Sequence, residues 1–129
     1  MVEPSEQADR RAREVIGAAI EVHRHLGPGF LESVYEESLC YELTDREIPY
    51  VRQIRVGIAY KGRLVGKARL DLLVDDCLLV EIKSVEAIAA IHRAQVISYL
   101  RTTQVGLALL LNFNVRLLPH GTHRIVRSL

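Results

Sequence analysis

Leu70-Asp71-Leu72-Leu73-Val74, followed after Asp75-Asp76-Cys77 by Leu78-Leu79-Val80-Glu81-Ile82-Lys83, is the stretch on which the reading of this chain turns. Both runs have the composition of strands covered on two faces, which should be apolar throughout. Three positions break that rule: Asp71, Glu81 and Lys83. Burying an ionised group costs roughly several kcal/mol unless it is paired or coordinates a metal. Period-two geometry puts Glu81 and Lys83 on one face of their strand. The place of Asp71 depends on the turn. A loop of Asp75 and Asp76 alone sets Asp71 against Val80, with Glu81 pointing away. A loop that also takes in Cys77 sets Asp71 against Glu81 and gathers all three charges. The second register leaves Leu70, Leu72, Val74, Leu78, Val80 and Ile82 as one apolar face, so hydrophobic patterning favours it.

Two carboxylates on neighbouring strands repel each other and invite a cation. A hard divalent ion such as Mg²⁺ or Mn²⁺ takes oxygen ligands and keeps several waters, leaving room for a phosphate oxygen. It would help deprotonate water and neutralise the charge on a phosphodiester. Lys83 would then be a fixed positive charge beside the developing negative one. The competing reading is a cross-strand ion pair that only completes the sheet.

Outward from this hairpin, Ala12, Val15, Ala19, Val22 and Leu26 recur at spacings of three and four and predict a first helix. Residues 1–8 before it read as a flexible terminus. Gly27-Pro28-Gly29 ends the helix, and a second covers 31–45, stopped by Pro49. Residues 53–60 alternate, with Ile54, Val56 and Ile58 on one face, and Lys61-Gly62-Arg63 reads as a turn into a strand at 64–74. After 78–83 an amphipathic helix is expected over 85–101. The apolar run 105–112 suits a buried strand, and a short last strand follows near His123. The order α-α-β-β-β-α-β-β predicts a single α/β domain over 1–129, with a central mixed sheet flanked by helices.

Composition bounds the function. The chain has 129 residues, 49% hydrophobic and 26% charged, with a formal net charge of +1. That balance is globular, and bulk charge does not mark a nucleic-acid binder. Any such contact needs a local patch: Arg10, Arg11 and Arg13, or Arg52, Arg55, Lys61, Arg63, Lys67 and Arg69 around the hairpin. For most of these a solvated surface is the simpler reading. Arg69 lies two residues before Asp71 and either contacts phosphate or balances the acids. Cys40 and Cys77 sit among apolar neighbours and match neither a disulfide framework nor a zinc spacing. No signal-peptide core or membrane-length apolar run occurs, so a cytoplasmic location is expected. Tyr35 is expected to pack between helix and sheet with its hydroxyl tied to a neighbour. His23 and His25 read as surface residues, and His120 and His123 lack partners for zinc.

Several motifs in order carry a family resemblance: Gly29-Phe30-Leu31-Glu32-Ser33-Val34-Tyr35, Arg46-Glu47-Ile48-Pro49, Asp71-Leu72-Leu73-Val74, Glu81-Ile82-Lys83, Gln95 through Tyr99-Leu100, and Leu111-Asn112-Phe113-Asn114. Together they resemble the small bacterial GxxExxY proteins, placed among the PD-(D/E)XK nuclease-like folds. The resemblance implies a restriction-endonuclease-like fold and a Mg²⁺- or Mn²⁺-dependent nuclease acting on DNA or RNA. Asp71 and Glu81 then resemble metal ligands, joined by the backbone carbonyl of Ile82, and Lys83 the catalytic lysine. Glu32 resembles the additional helical acid that binds metal directly or through water. Gln95 and Tyr99 resemble a Gln-x-x-x-Tyr element supporting lysine and substrate, with His92 on the same helical face. Near-neutral charge and small size leave room for a homodimer or an accessory partner. They also keep open a non-catalytic nucleic-acid-binding or protein-interaction module that retains the fold.

Overall fold

The computed structural model describes residues 4–127. Helix α1 (Glu6–Leu26) is capped by Ser5, whose Oγ accepts the Ala8 amide at 3.0 Å. The expected flexible terminus is therefore helical from Glu6 onward, and Ala8 is buried in the core. Its first three residues lie outside those described. Helix α2 (Glu32–Asp45) follows the Gly27-Pro28-Gly29 break, where Gly27 and Gly29 take φ of 68° and 107° that a side chain would strain.

Strands β1 (Tyr50–Tyr60), β2 (Arg63–Val74), β3 (Leu78–Lys83), β4 (Leu107–Asn112) and β5 (Thr122–Val126) form one sheet in chain order. Only β3 and β4 run parallel; the other neighbours are antiparallel. Helix α3 (Ala90–Thr103) is the crossover between the parallel pair. It begins later than the apolar periodicity suggests. Asn112 holds Val85 by both backbone atoms, its Nδ2 donating to Val85 O at 2.9 Å and its Oδ1 accepting Val85 N at 3.1 Å. Those bonds keep the chain after Lys83 out of helical geometry. The helix then starts where the His92 ring caps the Ala89 amide at 2.9 Å.

The sheet is covered on both faces. Helices α1 and α2 pack on Leu72, Val74, Leu78, Val80, Ile82, Leu107, Leu109 and Leu111. Helix α3 places Val96 and Leu100 against Leu79, Ala108, Leu110 and Leu70. Fully burying each such leucine contributes about 1.5–3 kcal/mol. Leu70 thus departs from the expected uniform face and joins the α3 side. The cause is a break in both ladders at the next residue. The β1–β2 pairs skip Gln53 and Asp71, and Gln53 takes φ of 52° in mid-strand. The β2–β3 pairs stop at Leu72 and Val80. Strand β2 is thereby free to rotate, turning Leu70 with Ile54 and Val56 toward α3.

Tyr35 is fully buried, stacks on Phe113 at 4.6 Å between ring centroids, and donates its hydroxyl to Gly27 O at 2.5 Å. It accepts the Phe30 amide at 3.2 Å. His23 is no surface residue: it is buried, with Nε2 2.8 Å from Val115 O and its ring beside Phe113. His25 is exposed beside Glu21. No helix among the described residues is long and apolar enough to cross a membrane.

Candidate active site

The turn after β2 sets the site. Asp75 and Asp76 take φ of 47° and 56°, and Cys77 N donates to Val74 O at 3.0 Å. Yet Val74 pairs with Leu78, Leu73 with Leu79 and Leu72 with Val80, so Cys77 is a third loop residue. The next cross-strand position places Asp71 opposite Glu81. There side chains replace the ladder. Glu81 Oε1 accepts the Asp71 amide at 3.1 Å, and Asp71 Oδ2 accepts the Ile82 amide at 2.8 Å. Each carboxylate satisfies an amide that the parting strands would otherwise leave unbonded.

This arrangement is electrostatically costly. Glu81 is only 5% exposed, and burial followed by the Asp71 charge pushes its carboxyl up to about 8. Asp71 is raised too, by burial first, with the charge of Glu36 adding to it and the Ile82 amide opposing. Lys83 lies two residues beyond Glu81, and its charge favours the ionised form of both acids. Among the described residues it makes no ion pair, so the lysine acts on them from beyond contact distance. Its backbone is pinned beside Asn112 of β4, with Lys83 O accepting Phe113 N at 3.0 Å.

Glu32 is exposed at the start of α2 and lines a cleft of about 410 Å³ with Ser33, Glu36, Arg52, Gln53, Arg69 and Asp71. Glu36, one helical turn on, is the residue that sequence reasoning missed. It is buried, and its carboxylate accepts from Arg52 at 2.9 Å and from Gln53 at 2.8 Å. Its spacing of four from Glu32, which puts both acids on one helix face, was the available signal. Tyr99 on α3 is half-buried, and its hydroxyl is pushed up by burial, then by the charges of Glu81 and Asp71. Gln95 is exposed on the same helix. His92 serves as the α3 cap rather than reaching the acids. The structure therefore brings together Asp71, Glu81, the Ile82 backbone, Lys83 and Tyr99. It places Glu32 at the cleft wall and leaves Gln95 exposed on α3, one turn before Tyr99.

Among the described residues, no group of three or more His, Cys, Asp or Glu side chains stands close enough to hold a metal ion. The Asp71–Glu81 pair nevertheless has the chemistry of a hard-cation site: all-oxygen donors, adjacent, and destabilised as two free charges.

The family model described as the PD-(D/E)XK nuclease superfamily matches residues 9–125, spanning both acids, the lysine and all of the sheet but the last residue of β5. The chain belongs to the PD-(D/E)XK nuclease superfamily. Its mixed five-stranded sheet flanked by helices is the restriction-endonuclease-like arrangement expected from the sequence. A solved structure titled "Crystal structure of SSO0001" is similar in fold, with a TM-score of 0.55 and 19% sequence identity over 75% of this chain and 50% of that one. The chain thus spans about half the length of that relative. No curated protein matches.

Proposed function

We propose that this PD-(D/E)XK chain is a Mg²⁺- or Mn²⁺-dependent nuclease of the GxxExxY type, acting as a single domain on the phosphodiester bonds of DNA or RNA. The observation that carries the reading is the reciprocal bonding of Asp71 and Glu81 at the point where β2 and β3 part, with Lys83 two residues beyond Glu81 on the same face of β3. Superfamily membership supports nuclease chemistry, and the divalent ions that such nucleases generally use fit this donor pair.

Asp71, Glu81 and the backbone carbonyl of Ile82 would hold the ion, with Glu32 reaching it through water from the cleft wall. Bound there, the ion supplies charge neutralisation at the phosphate and a more acidic water. Lys83 orients that water and stabilises the added negative charge of the pentavalent transition state. Tyr99 places a hydroxyl near the acids, and Gln95, one turn earlier, supports lysine and substrate from α3. The Ile82 amide holds the Asp71 carboxylate in place, so the acid enters the reaction already oriented.

The test is cleavage of single- and double-stranded DNA and RNA with Mg²⁺ or Mn²⁺. Activity should vanish with chelator and fall at least about a hundredfold in Asp71→Ala and Lys83→Ala, in the range of lost electrostatic stabilisation. Cleavage that persists in both variants would refute the assignment. A second reading is a nucleic-acid-binding or protein-interaction module that keeps the fold without the chemistry. It is favoured by Glu36, whose carboxylate is occupied by Arg52 and Gln53 rather than offered to a third ligand position. Binding without cleavage of any substrate, unchanged in Lys83→Ala, would select it.

A further inference from the structure

The β1–β2 hairpin carries a cationic patch that the acid cleft does not account for. Arg55 and Arg69 sit directly opposite each other across the ladder, with Lys67 paired to Gly57 one step along the same face. All three are exposed. Like charges directly opposed on antiparallel strands destabilise a sheet. None of the three makes an ion pair among the described residues. Where arginines are paired, each meets a carboxylate: Arg11 holds Asp75, Arg46 holds Glu42, Arg52 holds Glu36 and Glu37, and Arg124 holds Asp9. Other arginines are also unpaired, Arg10 and Arg13 of α1 among them, but Arg55 and Arg69 face each other directly across a ladder. Two unpaired like charges set directly opposite each other, with a third cation one step along the same face, point to an anionic ligand.

Geometry supplies the second argument. Arg55, Lys67, Ala68 and Arg69 line a recess of about 270 Å³, and Arg69 also lines the cleft that contains Asp71. Lys67, Arg69 and Asp71 follow one another at every second residue of β2, about 6.8 Å apart per step in an extended strand. A chain of phosphates lying along this strand would meet a cation, then a second cation, then the carboxylate pair. An isolated phosphate would need only one of these positions. The linear repeat favours a polymer.

We infer that Arg55, Lys67 and Arg69 form a binding track for the phosphate backbone of a nucleic-acid strand, which leads that strand into the cleft that holds Asp71. The track explains how a chain of net charge +1 can hold a polyanion: the positive charge is local and not tied up in ion pairs among the described residues. This inference rests on the nuclease reading for the direction of travel, but its binding claim stands without cleavage.

The experiment measures anisotropy of labelled single- and double-stranded DNA and RNA oligonucleotides in chelator, where no cleavage competes, across a salt series. The wild type is compared with Arg55→Ala/Lys67→Ala/Arg69→Ala and with Arg10→Ala/Arg13→Ala, a pair of exposed arginines on α1. Melting by circular dichroism establishes that both variants are folded. The track variant should bind at least about tenfold more weakly, with the slope of log K against log salt reduced by about 2–3. The α1 variant should match wild type. Equal loss in both variants, no loss in the track variant, or no wild-type binding to any oligonucleotide would overturn the inference. Track-dependent binding to phosphatidylserine vesicles in place of oligonucleotides would overturn it too. If the track variant loses binding while Asp71→Asn keeps it and neither wild type nor variant cleaves, the track stands and the nuclease reading falls.

Discussion

At the scale of single residues, Glu81 is the most exposed to test by pH. Its carboxyl is held near 8 against an ordinary value of 4.5, so the metal-free folded protein keeps a proton that the unfolded chain has released. Stability must then fall as pH rises through that interval. Asp71 is raised as well and contributes in the same direction. Urea denaturation in chelator is expected to show lower stability at pH 8 than at pH 5. Glu81→Gln should flatten the difference, and Mg²⁺ should restore stability at the alkaline end. A pH dependence unchanged in Glu81→Gln would locate the cost elsewhere. Glu36 allows a second test. Arg52→Ala removes two charged hydrogen bonds from its buried carboxylate and leaves only Gln53. The expected loss is about 1–3 kcal/mol in urea denaturation. A value near zero would mean that Glu36 is satisfied without the guanidinium. What the sequence revealed at this scale was the anomaly of charge in oily strands. It did not reveal His23, whose partner Val115 is 92 positions away, nor that Gln53 would bond Glu36 from a left-handed backbone.

Elements carry the next set of constraints. The β2–β3 register was legible because an apolar strand face admits only one alignment of Leu72, Val74, Leu78 and Val80, and the turn accordingly takes in Cys77. Leu70 was not legible, since the ladder break beside Asp71 has no marker in local composition. The start of α3 was likewise hidden. Residues 85–89 have good helix-forming composition, and only the distant Asn112 diverts them. That asparagine anchors a second element. Gly121, which closes the single 3-10 turn before β5, lies so close to Asn112 O that a Cβ there would collide with backbone. Gly121→Ala should force the turn off the end of β4 and cost about 1–3 kcal/mol. Because Asn112 pairs with Lys83, the same variant should reduce cleavage more than its stability loss alone implies. Stability and activity both matching wild type would show that the turn yields freely.

For the whole molecule, the two faces of the sheet divide the labour. Helices α1 and α2 close one apolar face, α3 the other, and the acids emerge where β2 leaves the sheet to become the projecting half of the β1–β2 hairpin. The site therefore lies at a seam, open toward a cleft lined by α2 and by the cationic hairpin. This layout follows from the order of elements, which the sequence carried through hydrophobic periodicity and turn residues. The cleft could not be read that way, because it depends on how far the strands diverge. The most direct measurement of the central claim is anomalous diffraction from crystals soaked in Mn²⁺. The account predicts a peak between the Asp71 and Glu81 carboxylates, within ligand distance of Ile82 O, that disappears in Asp71→Ala. Absence of any peak there, or one only at Glu32 and Glu36, would contradict it.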